Sequence, residues 1–286
     1  MDGRVTHWLG QCHRNYNVST TDIRSTSYSN LIRGVTIPSG RTYRYVFSPP
    51  FDSTKPYILF LHGFPETSHE WKAQITYFTE QGFGVVVPDL LGYGGTDKPE
   101  SLTAYSFTSM AGELNELLEC EGVEKFIAVA HDFGAPVLSR LLTHQSSRVT
   151  AAAFLGGGYL PLQARLDAAS ITAFNNDAKD RYGYEIYGYW FTNNEDSMTE
   201  LVEENLDSFL SLAFTRNQTV WRENFAPLGA VRQWLTENRT ATDVYVSQVY
   251  YEQWKTIIMS NGGMEAPLRW YKATMAGISN PTEDGT

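Results

Sequence analysis

Short apolar runs alternate with segments of helical period along the first half of the chain. The apolar runs predict a hairpin over residues 34–47 and strands over residues 57–61, 84–88, 126–130 and 149–155. Apolar residues at helical spacing predict helices over residues 71–80, 106–121 and 134–143. Strands joined by helices in this order are typical of an α/β fold with a mostly parallel sheet, in which strand 126–130 is expected to be buried on both faces.

The pattern changes near Gly156, after which polar and aromatic helices follow without further strands. This pattern of helices indicates a helical cap. The first thirty residues, in contrast, are polar and show no sustained hydrophobic period. We therefore expect four segments: a loosely packed polar arm at 1–30, an α/β core at 31–160, a helical cap at 161–275 and a polar tail at 276–286.

Composition narrows the range of partners. Hydrophobic residues make up 42% and charged residues 19% of the 286 residues, as is ordinary for a soluble globular protein. The net charge of −10, without a basic run, argues against nucleic acid and anionic membranes as partners. Neither a membrane span nor a signal peptide is expected, which favours a cytoplasmic location.

The two cysteines also bear on location. Cys12 and Cys120 lie far apart in the sequence and lack metal-ligand spacing. We therefore expect neither a disulfide nor a zinc site, and a reducing compartment fits.

Asp132 is the first candidate for chemistry. It follows strand 126–130 and has small residues, Ala130 and Gly134, two positions away on either side. This spacing is typical of a sharp strand-to-helix turn that presents a nucleophile at the edge of a sheet. A carboxylate nucleophile attacks sp3 carbon and forms an alkyl ester, which points to epoxides or alkyl halides. The alternative is that Asp132 only caps the following helix.

Three motifs extend this interpretation to a family. They are His62-Gly63-Phe64-Pro65, the glycine-rich loop Gly92-Tyr93-Gly94-Gly95-Thr96-Asp97-Lys98-Pro99 and His131-Asp132-Phe133-Gly134. Their order and spacing resemble those of the soluble epoxide hydrolases of the α/β-hydrolase superfamily, over roughly residues 43–271. The resemblance implies an α/β-hydrolase fold with an inserted helical cap, and opening of a small apolar epoxide through an Asp132 ester toward a vicinal diol. It implies no cofactor and no metal.

The same resemblance suggests roles for residues 62–65, the loop that follows the predicted strand 57–61. The backbone amides of Phe64 and Phe133 are expected to form an oxyanion hole, with His62 and Pro65 beside them in the substrate-binding loop. For His62 we favour a buried ring that is hydrogen-bonded to backbone over a role in proton transfer.

Two cap segments resemble those that carry the lid tyrosines of epoxide hydrolases. They contain Tyr184 and Tyr271, whose phenols are expected to donate to the epoxide oxygen as the ring opens. The chain has 17 tyrosines, so packing is the alternative role, and Tyr250 or Tyr251 is the alternate for the second donor.

The resemblance fails at the C-terminal side. A family member needs a histidine and an acid after the cap to activate water, but the last of the six histidines is His144. The last two core strands are also expected to be missing. Three interpretations remain open: a shortened epoxide hydrolase, an epoxide-binding or interaction protein that forms the ester without turnover, and a dehalogenase. Phe133 argues against the third, because dehalogenases of this fold usually place an indole N–H beside the acid.

A missing sheet end has two further consequences. Strand 149–155 is expected to present an open edge, so the chain is expected to self-associate or aggregate. The reaction is expected to stop at stoichiometric ester on Asp132, because no histidine activates the water.

Overall fold

A mixed sheet organises the first part of the molecule. The computed structural model describes residues 11–15 and 17–281, and within these the sheet has seven strands in the order β1-β2-β3-β5-β4-β6-β7. The strands are β1 (His13–Arg14), β2 (Ile32–Thr36), β3 (Thr42–Ser48), β4 (Tyr57–Leu61), β5 (Gly84–Pro88), β6 (Phe126–His131) and β7 (Val149–Leu155). The pairs β1–β2, β2–β3 and β3–β5 are antiparallel, whereas β4–β5, β4–β6 and β6–β7 are parallel.

Helices connect the parallel strands and form the rest of the chain. Those between strands are α1 (Lys72–Glu80), α2 (Phe107–Cys120) and α3 (Gly134–His144). After β7 come α4 (Ala168–Tyr182), α5 (Tyr189–Asn193), α6 (Met198–Glu204), α7 (Leu206–Ala213), α8 (Gln218–Asn224), α9 (Ala230–Thr236), α10 (Gln248–Met259) and α11 (Glu265–Met275). The predicted α/β arrangement is confirmed, with strand and helix bounds within about two residues of those expected. No helix in the described ranges combines the length and apolar character needed to cross a membrane.

Two compact units divide the chain. The first comprises the described residues up to Asp97 together with Thr108–Tyr159, and it contains the whole sheet. The second comprises Lys98–Phe107 and the described residues from Leu160 onward, including α4 to α11. The second unit thus takes in a short segment that the sequence pattern places in the core.

Apolar side chains from the sheet and α1 make up the core of the first unit. Val46, Phe60 and Val87 are almost completely buried and pack with Trp71, which lies directly before α1. Burying a side chain of this size stabilises the fold by about 1.5–3 kcal/mol. Tyr28 joins the same cluster at 1% exposure.

The N-terminal arm is therefore packed rather than loose, which corrects the sequence expectation for its described residues. Besides Tyr28, Ile23 is buried, and the Asp22 carboxylate pairs with Arg44 at 2.8 Å. The sequence pattern missed this packing because single anchoring side chains among polar residues leave no period to detect. Residues 1–10 and Tyr16 lie outside the described part of the chain.

The expectation that the cysteines stay unpaired is wrong. Cys12 and Cys120 form a disulfide although 108 positions separate them. The pairing of β1 with β2 brings the segment after Cys12 toward the end of α2, where Arg14 and Arg33 both pair with Glu121. Sequence separation gave no sign of this proximity, and the disulfide removes the support that a reducing compartment lent to a cytoplasmic location.

Burial of the last two strands also differs from the expectation. Along β6 the residues Phe126, Ala128 and Ala130 are buried, whereas Ile127 and Val129 are only partly buried, so one face of the strand is better covered than the other. In β7 most side chains are exposed. β7 lies at one end of the sheet among the described residues.

Candidate active site

Asp132 lies at a sharp bend between β6 and α3. Its φ angle is +47°, in the left-handed region that few residues other than Gly, Asn and Asp adopt. The Asp132 N–H donates to the Leu155 carbonyl at 3.1 Å, and its own carbonyl accepts from the Ala135 N–H at 2.9 Å. A Cβ at position 134 would lie 2.7 Å from the Leu61 carbonyl oxygen, so this turn requires glycine there.

The Asp132 side chain does not cap the following helix. The N-cap position of α3 is Phe133, and no side-chain cap bond is made there. Instead, Oδ1 of Asp132 accepts a hydrogen bond of 2.9 Å from the Phe64 N–H. The carboxylate is thus oriented by the loop after β4 through its Oδ1 atom.

The loop at residues 62–65 is pressed against this carboxylate. A Cβ at Gly63 would lie 2.3 Å from the Asp132 Cβ and 2.5 Å from its Oδ1, so no larger residue fits. A cis peptide bond joins Phe64 to Pro65. Phe133 follows Asp132 directly and is 4% exposed. Phe64 and Phe133 are thus both largely buried residues next to Asp132 in space or in sequence, and the oxyanion-hole role of their amides stays a prediction.

His62 is fully buried and engaged at both ring nitrogens. Its Nε2 accepts from the Leu90 N–H at 2.9 Å, so the proton resides on Nδ1, which donates to the Gly63 carbonyl at 2.9 Å. Burial lowers the pKa of His62 to about 4, which keeps the ring neutral at physiological pH. These contacts are those of a structural histidine that holds the loop.

Glu70 and His131, the residue before Asp132, form an ion pair that sequence reasoning missed. Glu70 lies in the 3₁₀ turn Ser68–Trp71, and its Oε1 is 2.5 Å from His131 Nδ1. Burial opposes charge on the imidazole, but the hydrogen bond and charge of Glu70 outweigh it and raise the pKa of His131 to about 9. Burial also raises the pKa of Glu70. The only sequence signal for the pair was a lone acid at the start of a helix, which is normally a solvated position.

A buried ion pair fixes the turn that carries Glu70. Asp89, at the end of β5, accepts from the Ser68 N–H at 3.0 Å and from Arg44 Nε at 2.7 Å. It also accepts from the Gly95 N–H at 3.1 Å. Burial opposes ionisation of Asp89, but Arg44 and these donors lower its pKa to about 2. The charge of Asp89 therefore ties β3, the loop before α1 and the glycine-rich loop together.

The two proposed tyrosine donors belong to the second unit and differ in their surroundings. Tyr271 on α11 is 2% exposed, and its ring lies edge-on to Trp190 at 5.3 Å and to Tyr189 at 6.1 Å. Tyr184, between α4 and α5, is partly buried, and the guanidinium of Arg222 lies 5.8 Å from its ring centre. No ring contact joins the two tyrosines in the described part of the chain, so their joint role stays a prediction.

The alternates on α10 are engaged in packing. The Tyr251 hydroxyl donates to the Asp207 carbonyl at 2.8 Å, and burial raises its pKa. The Tyr250 ring lies edge-on to Phe214 at 6.0 Å. Their contacts give no reason to prefer them to Tyr271.

Comparison with known proteins places this geometry in context. A family model described as alpha/beta hydrolase fold matches residues 56–251. Among curated relatives, epoxide hydrolase 3 of Siraitia grosvenorii is 37% identical over 108 residues, which cover 38% of this chain and 34% of that protein. Epoxide hydrolase A of Mycobacterium tuberculosis is 33% identical over 132 residues, covering 46% of this chain and 40% of that protein. The matched part of the chain thus spans at most 40% of the length of either relative.

Solved structures agree with the fold. An epoxide hydrolase from an endophytic Streptomyces superposes with a TM-score of 0.70 at 20% identity, covering 86% of this chain and 72% of that one. An epoxide hydrolase from Vigna radiata gives a TM-score of 0.66 at 22% identity, with the same coverage. At these identities the structural likeness supports the fold alone.

Proposed function

This chain belongs to the α/β-hydrolase fold family, and from that membership we propose that it opens an epoxide by nucleophilic attack of Asp132. The observation that carries the proposal is the bend at Asp132, where Oδ1 is held by the Phe64 N–H and Oδ2 is left to react. The sequence relatives named as epoxide hydrolases support the same reaction class.

In the first step, Oδ2 of Asp132 attacks one carbon of the epoxide. A C–O ester bond forms while the ring C–O bond breaks, and the ring oxygen leaves as a developing alkoxide. We assign the proton for that oxygen to Tyr184 and Tyr271, because a phenol is a donor at neutral pH and its hydrogen bond strengthens as charge develops.

In the second step, water attacks the carbonyl carbon of the ester. The negative charge that develops on the carbonyl oxygen is stabilised by the Phe64 N–H, which already bonds Oδ1, and by the Phe133 N–H. Collapse of this intermediate releases a vicinal diol and restores the Asp132 carboxylate, and the proton that the water loses returns to the tyrosine that protonated the ring oxygen. The side chains of Phe64 and Phe133 favour a small apolar epoxide as the substrate.

The test is covalent capture. Incubation of the 286-residue chain with styrene oxide is expected to add the mass of one epoxide, which peptide mapping locates at Asp132. Asp132→Asn is expected to give no adduct, because an amide is a poor nucleophile, and Asn tolerates the φ of +47° so the bend is retained.

Asp243→Asn is the matched control, since this carboxylate is exposed and is expected to leave capture unchanged. An adduct at position 132 in the Asn variant, or neither an adduct nor diol with the wild-type chain, would overturn the proposal.

A further inference from the structure

Both cysteines of the sequence are oxidised in the structure. Cys12 and Cys120 form the disulfide, and Cys12 is exposed. Cytosolic thiol reductants reach an exposed disulfide, so such bonds are rare there, whereas they persist in the secretory pathway and outside the cell. The disulfide therefore fits an oxidising compartment, and the secretory pathway is also where asparagine side chains receive oligosaccharides.

The sequence contains three triplets that match the acceptor pattern for such oligosaccharides, Asn-X-Ser/Thr. They are Asn17-Val18-Ser19, Asn217-Gln218-Thr219 and Asn238-Arg239-Thr240. Triplets of this kind also arise by chance, so their place in the fold decides what they mean. In all three, both the asparagine and the hydroxyl residue are exposed. A bulky, polar oligosaccharide requires this exposure in the folded protein.

The side-chain nitrogen separates these asparagines from others in the chain. Oδ1 of Asn217 accepts from the Thr219 N–H at 3.0 Å, and its Nδ2 makes no hydrogen bond to the described residues. Nδ2 of Asn17 and of Asn238 likewise makes none within the described part of the chain. Five other asparagines donate Nδ2 to a carbonyl or carboxylate group of the fold: Asn115, Asn205, Asn224, Asn261 and Asn280. Modification at the three triplets therefore breaks no internal hydrogen bond of Nδ2.

Two of the triplets lie at helix ends. Asn217 is the N-cap of α8. Asn238 follows α9 in a turn, where its φ angle is +47° and its N–H donates to the Leu235 carbonyl at 2.9 Å. Because both side chains are exposed, a sugar attached there displaces no packed side chain.

We propose that Asn17, Asn217 and Asn238 are sites of N-linked glycosylation. In the reaction, Nδ2 of each asparagine forms a bond to the anomeric carbon of an oligosaccharide that is carried on a lipid diphosphate. The bond from that carbon to the diphosphate oxygen breaks, the lipid diphosphate leaves, and the proton that Nδ2 loses passes to a base of the transferase. The hydroxyl residue two positions after the asparagine is the group that the transferase recognises.

The test uses the protein recovered, without added reductant, from the cells that make it. A glycosidase that releases N-linked sugars in heavy-oxygen water converts each modified asparagine into a labelled aspartate, which peptide mass spectrometry locates. We expect label at Asn17, Asn217 and Asn238, a loss of mass by the intact chain, and Cys12 and Cys120 recovered in one cross-linked peptide.

The chain offers matched controls. Asn176 and Asn194 are exposed but have no hydroxyl residue two positions later, and Asn280 is followed by Pro281, which blocks acceptance. Their peptides are expected to carry no label. Thr240→Ala is expected to remove the oligosaccharide from its own triplet alone, and Thr240→Ser is expected to retain it.

An unlabelled peptide would overturn the assignment of its asparagine. Three unlabelled peptides, equal labelling of the control asparagines, or recovery of both cysteines as free thiols would overturn the whole proposal. None of these outcomes depends on whether Asp132 reacts with an epoxide, so the proposed function stands or falls separately.

Discussion

Asp89→Asn tests the ion pair that supports the site loops. The carboxylate accepts from Arg44 Nε at 2.7 Å and from two backbone N–H groups, of Ser68 and Gly95. An asparagine has nearly the same shape, but it carries no charge. Its side-chain NH2 group replaces one carboxylate oxygen and then faces N–H donors instead of accepting from them. The substitution therefore removes the charge without opening a cavity.

The pKa gives the magnitude. Asp89 is lowered from an ordinary value of 3.8 to about 2, and each unit corresponds to about 1.36 kcal/mol, so ionisation contributes about 2.4 kcal/mol to stability at neutral pH. Arg44 keeps Asp22 as a partner at 2.8 Å, which limits the further cost of the unpaired cation. We expect Asp89→Asn to lower the free energy of unfolding by about 2–3 kcal/mol.

The pH dependence has a definite sign. Because the folded-state pKa is depressed, this stability is present above pH 3.8 and is lost as the pH falls through about 2. Urea unfolding of wild type and Asp89→Asn is therefore expected to show a constant difference near pH 6–7 that narrows by about 1 kcal/mol at pH 3.

Asp243→Asn, at an exposed ion pair, is the control and is expected to change stability by less than about 0.5 kcal/mol. A difference for Asp89→Asn that is also below that size, or one that does not depend on pH, would refute the reasoning.

Two predictions concern the second unit and the sheet edge. Tyr184→Phe and Tyr271→Phe are each expected to slow ester formation far more than they weaken binding of a non-reactive analogue. The exposed Tyr182→Phe is the control, and equal losses of rate and binding would show that the tyrosines only pack. The uncharged strand β7 is expected to mediate self-association through its edge, so sedimentation velocity should show oligomers that the Ala152→Lys substitution dissociates. A wild-type chain that stays monomeric at high concentration would contradict this prediction.

Local patterns predicted the elements of the first unit because each strand and helix there has a clear period. The sharp strand-to-helix turn at Asp132 was predictable for a stronger reason. Ala130, Asp132 and Gly134 have a spacing that only a sharp turn requires, and the structure shows the expected bend at Asp132. The α/β-hydrolase fold that these motifs imply is confirmed by the family model, and the curated relatives that match part of the chain are epoxide hydrolases.

Contacts between distant parts of the chain were not predictable in the same way. The disulfide of Cys12 with Cys120 and the pairing of Glu70 with His131 depend on which elements the fold brings together. Neither pair has a characteristic spacing along the sequence. The partial exposure of Ile127 and Val129 was missed for a related reason. An apolar run shows that a strand can be buried, but it does not show which other elements cover the strand.

The interleaving of the two units affects how the protein forms during synthesis. Lys98–Phe107 leaves the ribosome between two parts of the first unit, yet it belongs to the second. Its aromatic residues Tyr105 and Phe107 lie against Trp270, and Arg269 donates to the Pro99 carbonyl. These partners are synthesised about 160 residues later, a delay on the order of 10–30 s at usual elongation rates. The segment is therefore without these partners while the remaining strands of the first unit are synthesised. Neither unit can be completed until part of the other unit has also been synthesised.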